Sequence, residues 1–114
     1  MSVSKTFDKA ANGTSPVLIG QHDTGLDLAG WAGNMQLSCS GLDGGTYGVQ
    51  AMVPGNPNWL TVVAPGVSAT AAPTAFQWPA IMNLLITFAG CGGSAAPVVH
   101  LTQRGRNAAF GSGA

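Results

Sequence analysis

The sequence predicts an all-β domain: an antiparallel β-sandwich or a jelly-roll-like barrel of about seven to nine short strands. Three observations carry that expectation. Apolar and polar residues alternate with a period of two along several stretches, as on a half-buried strand. Turn-forming Gly, Pro, Asn and Asp interrupt the chain about every ten residues. No stretch shows the spacing of an amphipathic helix.

Residues 1–14 hold few apolar anchors, Val3 and Phe7, and end in Asn12-Gly13-Thr14. They read as an extended arm or a first edge strand, whose Lys5, Asp8 and Lys9 suit an exposed edge. Pro16-Val17-Leu18-Ile19 is a short buried strand closed by Gly20. A turn over 21–25 and a brief alternating piece, Leu26-Asp27-Leu28, follow. Residues 34–52 are the most legible unit. Met35, Leu37 and Cys39 alternate with Gln36, Ser38 and Ser40. Gly41-Leu42-Asp43-Gly44-Gly45 then supplies a turn whose glycines can take positive φ. Tyr47, Val49 and Ala51 share one face of the next strand. The expectation is a hairpin, two antiparallel strands joined by a short loop.

Val53-Pro54-Gly55-Asn56-Pro57-Asn58 is a loop. Residues 59–63 resume a strand, apolar on both faces, which predicts a central position in a sheet. Ala64-Pro65-Gly66 ends it, and residues 67–74 read as a loop with a short strand inside. Ala75-Phe76-Gln77-Trp78-Pro79 is strand-like and stopped by its proline. Further on, Met82, Leu84, Ile86 and Phe88 share one strand face. Ile, Thr and Phe near the end of that run, with Gly-Cys-Gly-Gly behind, favour strand over a short helix. The last strand alternates Val99, Leu101 and Gln103 with Val98, His100 and Thr102. The division is therefore an arm or edge strand over 1–14, a sandwich over 15–106 and a small-residue tail over 107–114. Trp31, Trp59, Trp78, Tyr47 and Phe88 are the expected core fillers.

A chain of 114 residues makes one domain. It is long enough to bury a core without metal or disulfide staples. Charged residues make up 7% of it, against about 25% in a typical soluble protein. The acids are all Asp; the bases are Lys5, Lys9, Arg104 and Arg106; the net charge is zero. No basic surface is available to neutralise a phosphate backbone, which argues against a nucleic-acid partner. No run of about 18 apolar residues exists to make a membrane-spanning helix. Met1-Ser2-Val3-Ser4-Lys5 lacks the apolar core of a signal peptide, so cytoplasmic synthesis is expected. Cys39 and Cys91 are then expected as free thiols, and without CxxC spacing they predict no zinc site. Net charge is what keeps small domains apart in solution. The expectation for this chain is a surface largely covered in an assembly, the alternative being a monomer solubilised by its Ser, Thr, Asn and Gln.

Chemistry-bearing residues are few. His22-Asp23 with Asp27 would suit a weak cation loop, but a polar turn whose Asp caps its own backbone accounts for it better. No metal and no cofactor are expected. Ser, His and Asp all occur, without a Gly-x-Ser-x-Gly elbow. His100, beside Thr102 on a strand face, reads as a hydrogen-bonded structural histidine. With no Glu and scattered Asp, no carboxylate pair for glycoside hydrolysis stands out. No catalytic residue is assigned, and the chain reads as a non-enzyme. Trp31, in Gly-Trp-Ala-Gly, is the ring best placed to stack on a sugar. Arg104-Gly105-Arg106 is a compact basic spot, suited to pairing with an Asp of a neighbouring subunit or to solvation.

At Leu42-Asp43-Gly44-Gly45-Thr46-Tyr47, with later strands at 59–63, 82–88 and 98–104, the chain resembles small β-sandwich structural proteins of tailed bacteriophage virions. The resemblance covers about the last two-thirds of the chain by order of strands. Tyr47 and Gly48 stand where those proteins carry a Trp after the D-G-G-T turn. It implies a capsid decoration (cement) subunit, a head fibre or a tail component, made in the host cytoplasm and residing in the virion. Its partners would be copies of itself and a major capsid or other virion protein. Val3, Phe7, Trp31, Arg104 and Arg106 are the expected interface residues. The alternative is a glycan- or receptor-binding module built on Trp31 and nearby loops.

Overall fold

The structure, a computed structural model, describes residues 4–20, 35–76 and 83–104. Among them are β1 (Ser4–Ala10), β2 (Val17–Gly20), β3 (Met35–Ser40), β4 (Thr46–Met52), β5 (Leu60–Ser68), β6 (Thr74–Phe76), β7 (Asn83–Ala89) and β8 (Val98–Arg104), and no helix. The strands form two four-stranded sheets, in the orders β1-β8-β3-β6 and β2-β7-β4-β5. Every pairing is antiparallel. β1 pairs with β8, β2 with β7, β3 with β6 and β4 with β5, so the first half of the chain pairs in mirror order with the second. β3–β8 and β4–β7 complete the sheets. This is the winding of a jelly roll, an antiparallel ribbon folded over into a double sheet.

The alternation in the sequence decides which side of each strand meets the core. Met35, Leu37 and Cys39 of β3 and Val99 and Leu101 of β8 are buried from one sheet. Val17 and Ile19 of β2, Leu84 and Ile86 of β7, and Tyr47, Val49 and Ala51 of β4 are buried from the other. Facing sheets in such a sandwich lie about 10 Å apart. Tyr47 spans that gap: its hydroxyl donates to the Leu37 carbonyl at 3.2 Å. A buried phenol with a satisfied hydroxyl fills volume without stranding a polar atom.

The expected hairpin over 34–52 is corrected. β3 and β4 are strands, with the faces the sequence predicts, but they belong to different sheets. The segment between them crosses from one layer to the other. Gly41 (φ 70), Asp43 (φ 47) and Gly44 (φ 84) turn the backbone, and Leu42, 1% exposed, plugs the end of the core. In a hairpin the two apolar faces would lie side by side; here they face each other. A period of two is the same in either arrangement.

The strand at 59–63 is corrected from central to edge, because among the described strands β5 pairs with β4 alone. Its apolar run on both faces has a local cause. From Val49 to Gln50 the partner strand advances from Val63 to Thr61, leaving Val62 as an extra residue. A bulge of this kind sets two residues opposite one, and both Val62 and Val63 reach the core. Nor does Ala64-Pro65-Gly66 end the strand. β5 continues to Ser68, and between Tyr47 and Val49 it takes four steps, Val67 to Val63, where β4 takes two. Pro65 lies over Gly48, where an added Cβ would come within 2.9 Å of Pro65 Cα. A bulged strand carrying proline is a poor template for a further strand. Trp59 is half-buried just ahead of β5 and stands outside the hydrophobic core, which corrects its expected role as filler. Tyr47 is buried and Phe88 packs against the core as expected; Trp31 and Trp78 lie outside the described residues.

The other open side of the sandwich is bounded by β1 and β2. Residues 4–10 form an edge strand in register with β8, from Ser4 opposite Arg104 to Ala10 opposite Val98. β2 is also an edge rather than fully buried, with Leu18 50% exposed. Lys9 bridges the two sheets here: its ammonium donates to the Leu18 carbonyl at 2.7 Å. That bond blocks an edge carbonyl that would otherwise accept a strand from another chain. Lys9→Met keeps the apolar stem and removes the donor. The variant is expected to scatter more light at high concentration than the parent; equal scattering would remove the latch from this account.

Candidate functional site

The outward face of the β1-β8-β3 sheet carries mostly polar side chains, short apart from Gln36 and His100. Three rows cross it: Thr6–Thr102–Gln36, Asp8–His100–Ser38 and Ala10–Val98–Ser40. His100 is the largest side chain among these rows and sits at their centre. Both of its ring nitrogens are engaged. Nδ1 lies 2.8 Å from Asp8 Oδ1, on the strand directly opposite. Nε2 lies 2.9 Å from Ser40 Oγ, two residues along β3 from Ser38. An ionised Asp8 accepts from Nδ1–H, which leaves Nε2 of the neutral ring to accept the Ser40 hydroxyl proton. The side chains of His100 and Asp8 are 39% and 61% exposed. A pair so open to water contributes about 0–1 kcal/mol to stability. The contact therefore adds little to the stability of the fold.

His100 is hydrogen-bonded, as the sequence predicts. Ser40 and Asp8 escaped notice because nothing local marks them. They lie 60 and 92 positions from His100. Strand alternation puts all three outward, but only the β1-β8-β3 order brings them together.

A second feature joins two loops at one end of the sandwich. Asp43 Oδ2 accepts from the Ser94 backbone N–H at 3.1 Å, and the Asp43 carbonyl accepts from Gly92 N–H, also at 3.1 Å. An added Cβ at Gly92 would push the Asp43 carboxylate off the Ser94 N–H. The D-G-G-T stretch is thus a clamp between the β3–β4 crossing and the β7–β8 loop. Where β1 leads into β2, Lys9, Ala11, Asn12, Ser15, Pro16 and Leu18 line an open groove of about 630 Å³.

No family model, no curated protein and no solved structure matches this chain.

Of the expected interface residues, Phe7 is half-buried and packs against the core from β1. Arg104 ends β8, opposite Ser4. Val3, Trp31 and Arg106 lie outside the described residues, as do His22, Asp23 and Asp27. Among the described residues, no group of three or more His, Cys, Asp or Glu is placed to hold a metal ion. No helix there is long and apolar enough to cross a membrane.

Cys39 and Cys91 are both free thiols. Cys39 is buried on β3, and burial pushes its pKa from 9.0 up to about 12. Burial raises Tyr47 as well, against a lowering by its hydrogen bond to Thr74. Both groups must stay neutral in the fold, while the unfolded chain ionises at lower pH. The stability that these neutral groups contribute is intact below pH 9.0 and is lost as pH rises toward about 12. Cys91, half-buried in the β7–β8 loop, is expected to react readily with an aromatic disulfide reagent at pH 8, and Cys39 only on unfolding. Two thiols reacting at one rate in the native protein would contradict the buried placement of Cys39.

Proposed function

We propose that this chain is a non-enzymatic structural subunit of a bacteriophage virion, a capsid decoration protein that self-assembles and packs on the capsid. One observation carries the reading: a jelly-roll winding in a chain with 7% charged residues. Jelly rolls build viral capsids, and they also build lectins and cupins. Fold alone therefore does not decide. The composition favours the first of these uses. A protein that works alone in solution gains from net charge, and this one has none. An outer sheet face of short side chains lets a second surface approach closely. Closed rotational symmetry is the usual outcome for identical subunits.

The reading differs from the sequence-based one in a single part. Of the two expectations for residues 1–14, residues 4–10 take the edge strand, paired to β8, rather than a free arm. Contacts with neighbours fall instead to the outer faces and loop ends. Sedimentation equilibrium of the purified protein over a wide concentration range is the test, with co-sedimentation on undecorated capsids of the encoding phage beside it. A discrete oligomer that binds those capsids is expected. A monomer at every concentration that leaves capsids bare would refute the proposal.

A further inference from the structure

We propose that Ser40 is a nucleophilic serine, acylated on its hydroxyl by activated acyl donors such as thioesters and aryl esters. Ser40 Oγ lies 2.9 Å from His100 Nε2, and His100 Nδ1 lies 2.8 Å from Asp8 Oδ1. Nucleophile, base and orienting carboxylate thus stand in the order and contact that serine acylation uses. Asp8 holds the ring in the tautomer whose Nε2 can take a proton. The three residues come from three neighbouring strands, β3, β8 and β1, whose ladders fix their spacing. Sites carried on strands hold geometry better than sites on loops. Ser40 is exposed, and the pairing of β6 stops at Leu37, short of Ser40. An incoming carbonyl therefore reaches Oγ without a cleft.

The step balances within these groups and the donor. Oγ bonds to the acyl carbon as its proton passes to His100 Nε2. The bond from that carbon to the leaving sulfur or oxygen breaks with its electron pair. The proton on Nε2 then passes to the leaving group, and His100 is neutral again. Nothing is oxidised or reduced. Neither the groove beside Leu18 nor a small pocket of about 80 Å³ between Gly48 and Pro65 is lined by Ser40. Among the described residues neither cavity encloses Ser40 to stabilise an oxyanion, so deacylation is expected to be slow and the acyl-serine to accumulate. The inference makes this face a modification site, and it stands independently of the virion reading.

The test is to incubate the whole protein with p-nitrophenyl acetate and follow intact mass, then map the labelled peptide. One acetyl group on Ser40 is expected, absent in Ser40→Ala. His100→Gln should slow labelling at least about 100-fold, the lower range for general-base assistance. Asp8→Asn preserves shape but can donate to Nδ1, which turns Nε2 into a donor. It should slow labelling with the thermal midpoint unmoved, which a merely structural role would not do. Ser38→Ala should leave the rate as it was. Acetyl appearing on Ser38 or Lys9 as fast as on Ser40, or on Ser40 at the parent rate in His100→Gln, would overturn the proposal.

Discussion

Leu37→Ala is expected to destabilise the protein by about 2–5 kcal/mol, the range for emptying a well-packed core position. Leu37 is 0% exposed and lies mid-strand on β3, with Leu101 opposite on β8 and Thr74 opposite on β6. Its carbonyl also receives the Tyr47 hydroxyl from the other sheet. The void left by alanine therefore lies where both layers meet, and the ladders on either side resist collapse into it. For a domain of this size each kcal/mol lowers the thermal midpoint by about 4–8 °C, so a fall of at least about 8 °C is expected from calorimetry. Leu18→Ala provides the contrast. Leu18 is half exposed on the edge strand β2, and its truncation should lower the midpoint far less. Similar losses at both positions would mean that the core is not where the structure puts it.

Gly41→Ala is expected to destabilise the protein for two separate reasons. Gly41 has a φ of 70, in the left-handed region, where an L side chain is disfavoured by about 1–2 kcal/mol. An added Cβ there also collides with the carbonyl of Ala96. That collision cannot be relieved locally, because Ala96 N–H donates to the Gly41 carbonyl at 2.8 Å and holds the two segments together. Gly44 separates the two effects. Its φ of 84 carries the same handedness, and nothing lies within 4 Å of an added Cβ. Gly44→Ala should therefore cost about 1–2 kcal/mol and Gly41→Ala clearly more, by urea titration. If the two variants unfold at the same denaturant concentration, the crossing does not pack against the Ala96 strand entry as described.

The strands themselves were legible because alternation reports burial directly. The faces of β3, β4, β7 and β8 follow from their residues, and the strands occur where the periodicity puts them. What alternation does not report is which strand lies alongside. Residues 34–52 show the limit: the same pattern serves a hairpin within one sheet and a crossing between two. The position of β5 was obscured by its bulge, since Val62 and Val63 both bury and so imitate a strand covered on two sides. Pro65 reads in sequence as a strand end, yet an edge strand tolerates it where the ladder is already broken. The triplet on the outer face was invisible for a related reason. Asp8, Ser40 and His100 each look like ordinary polar positions on separate strands, and the winding that joins first strand to last is a long-range property. Asp43 was readable as a turn residue but not as the clamp on Ser94 and Gly92.

The mirror-order pairing of strands supports the capsid reading, the Ser40 chemistry and the Gly41 contrast together. Through-space proton contacts in a nuclear magnetic resonance spectrum test it most directly. Cross-strand backbone contacts are expected between β3 and β8, at Leu37 with Leu101 and Cys39 with Val99, and between β4 and β7, at Val49 with Ile86. A backbone ladder joining Met35–Ser40 to Thr46–Met52 would instead restore the simple hairpin and contradict the winding.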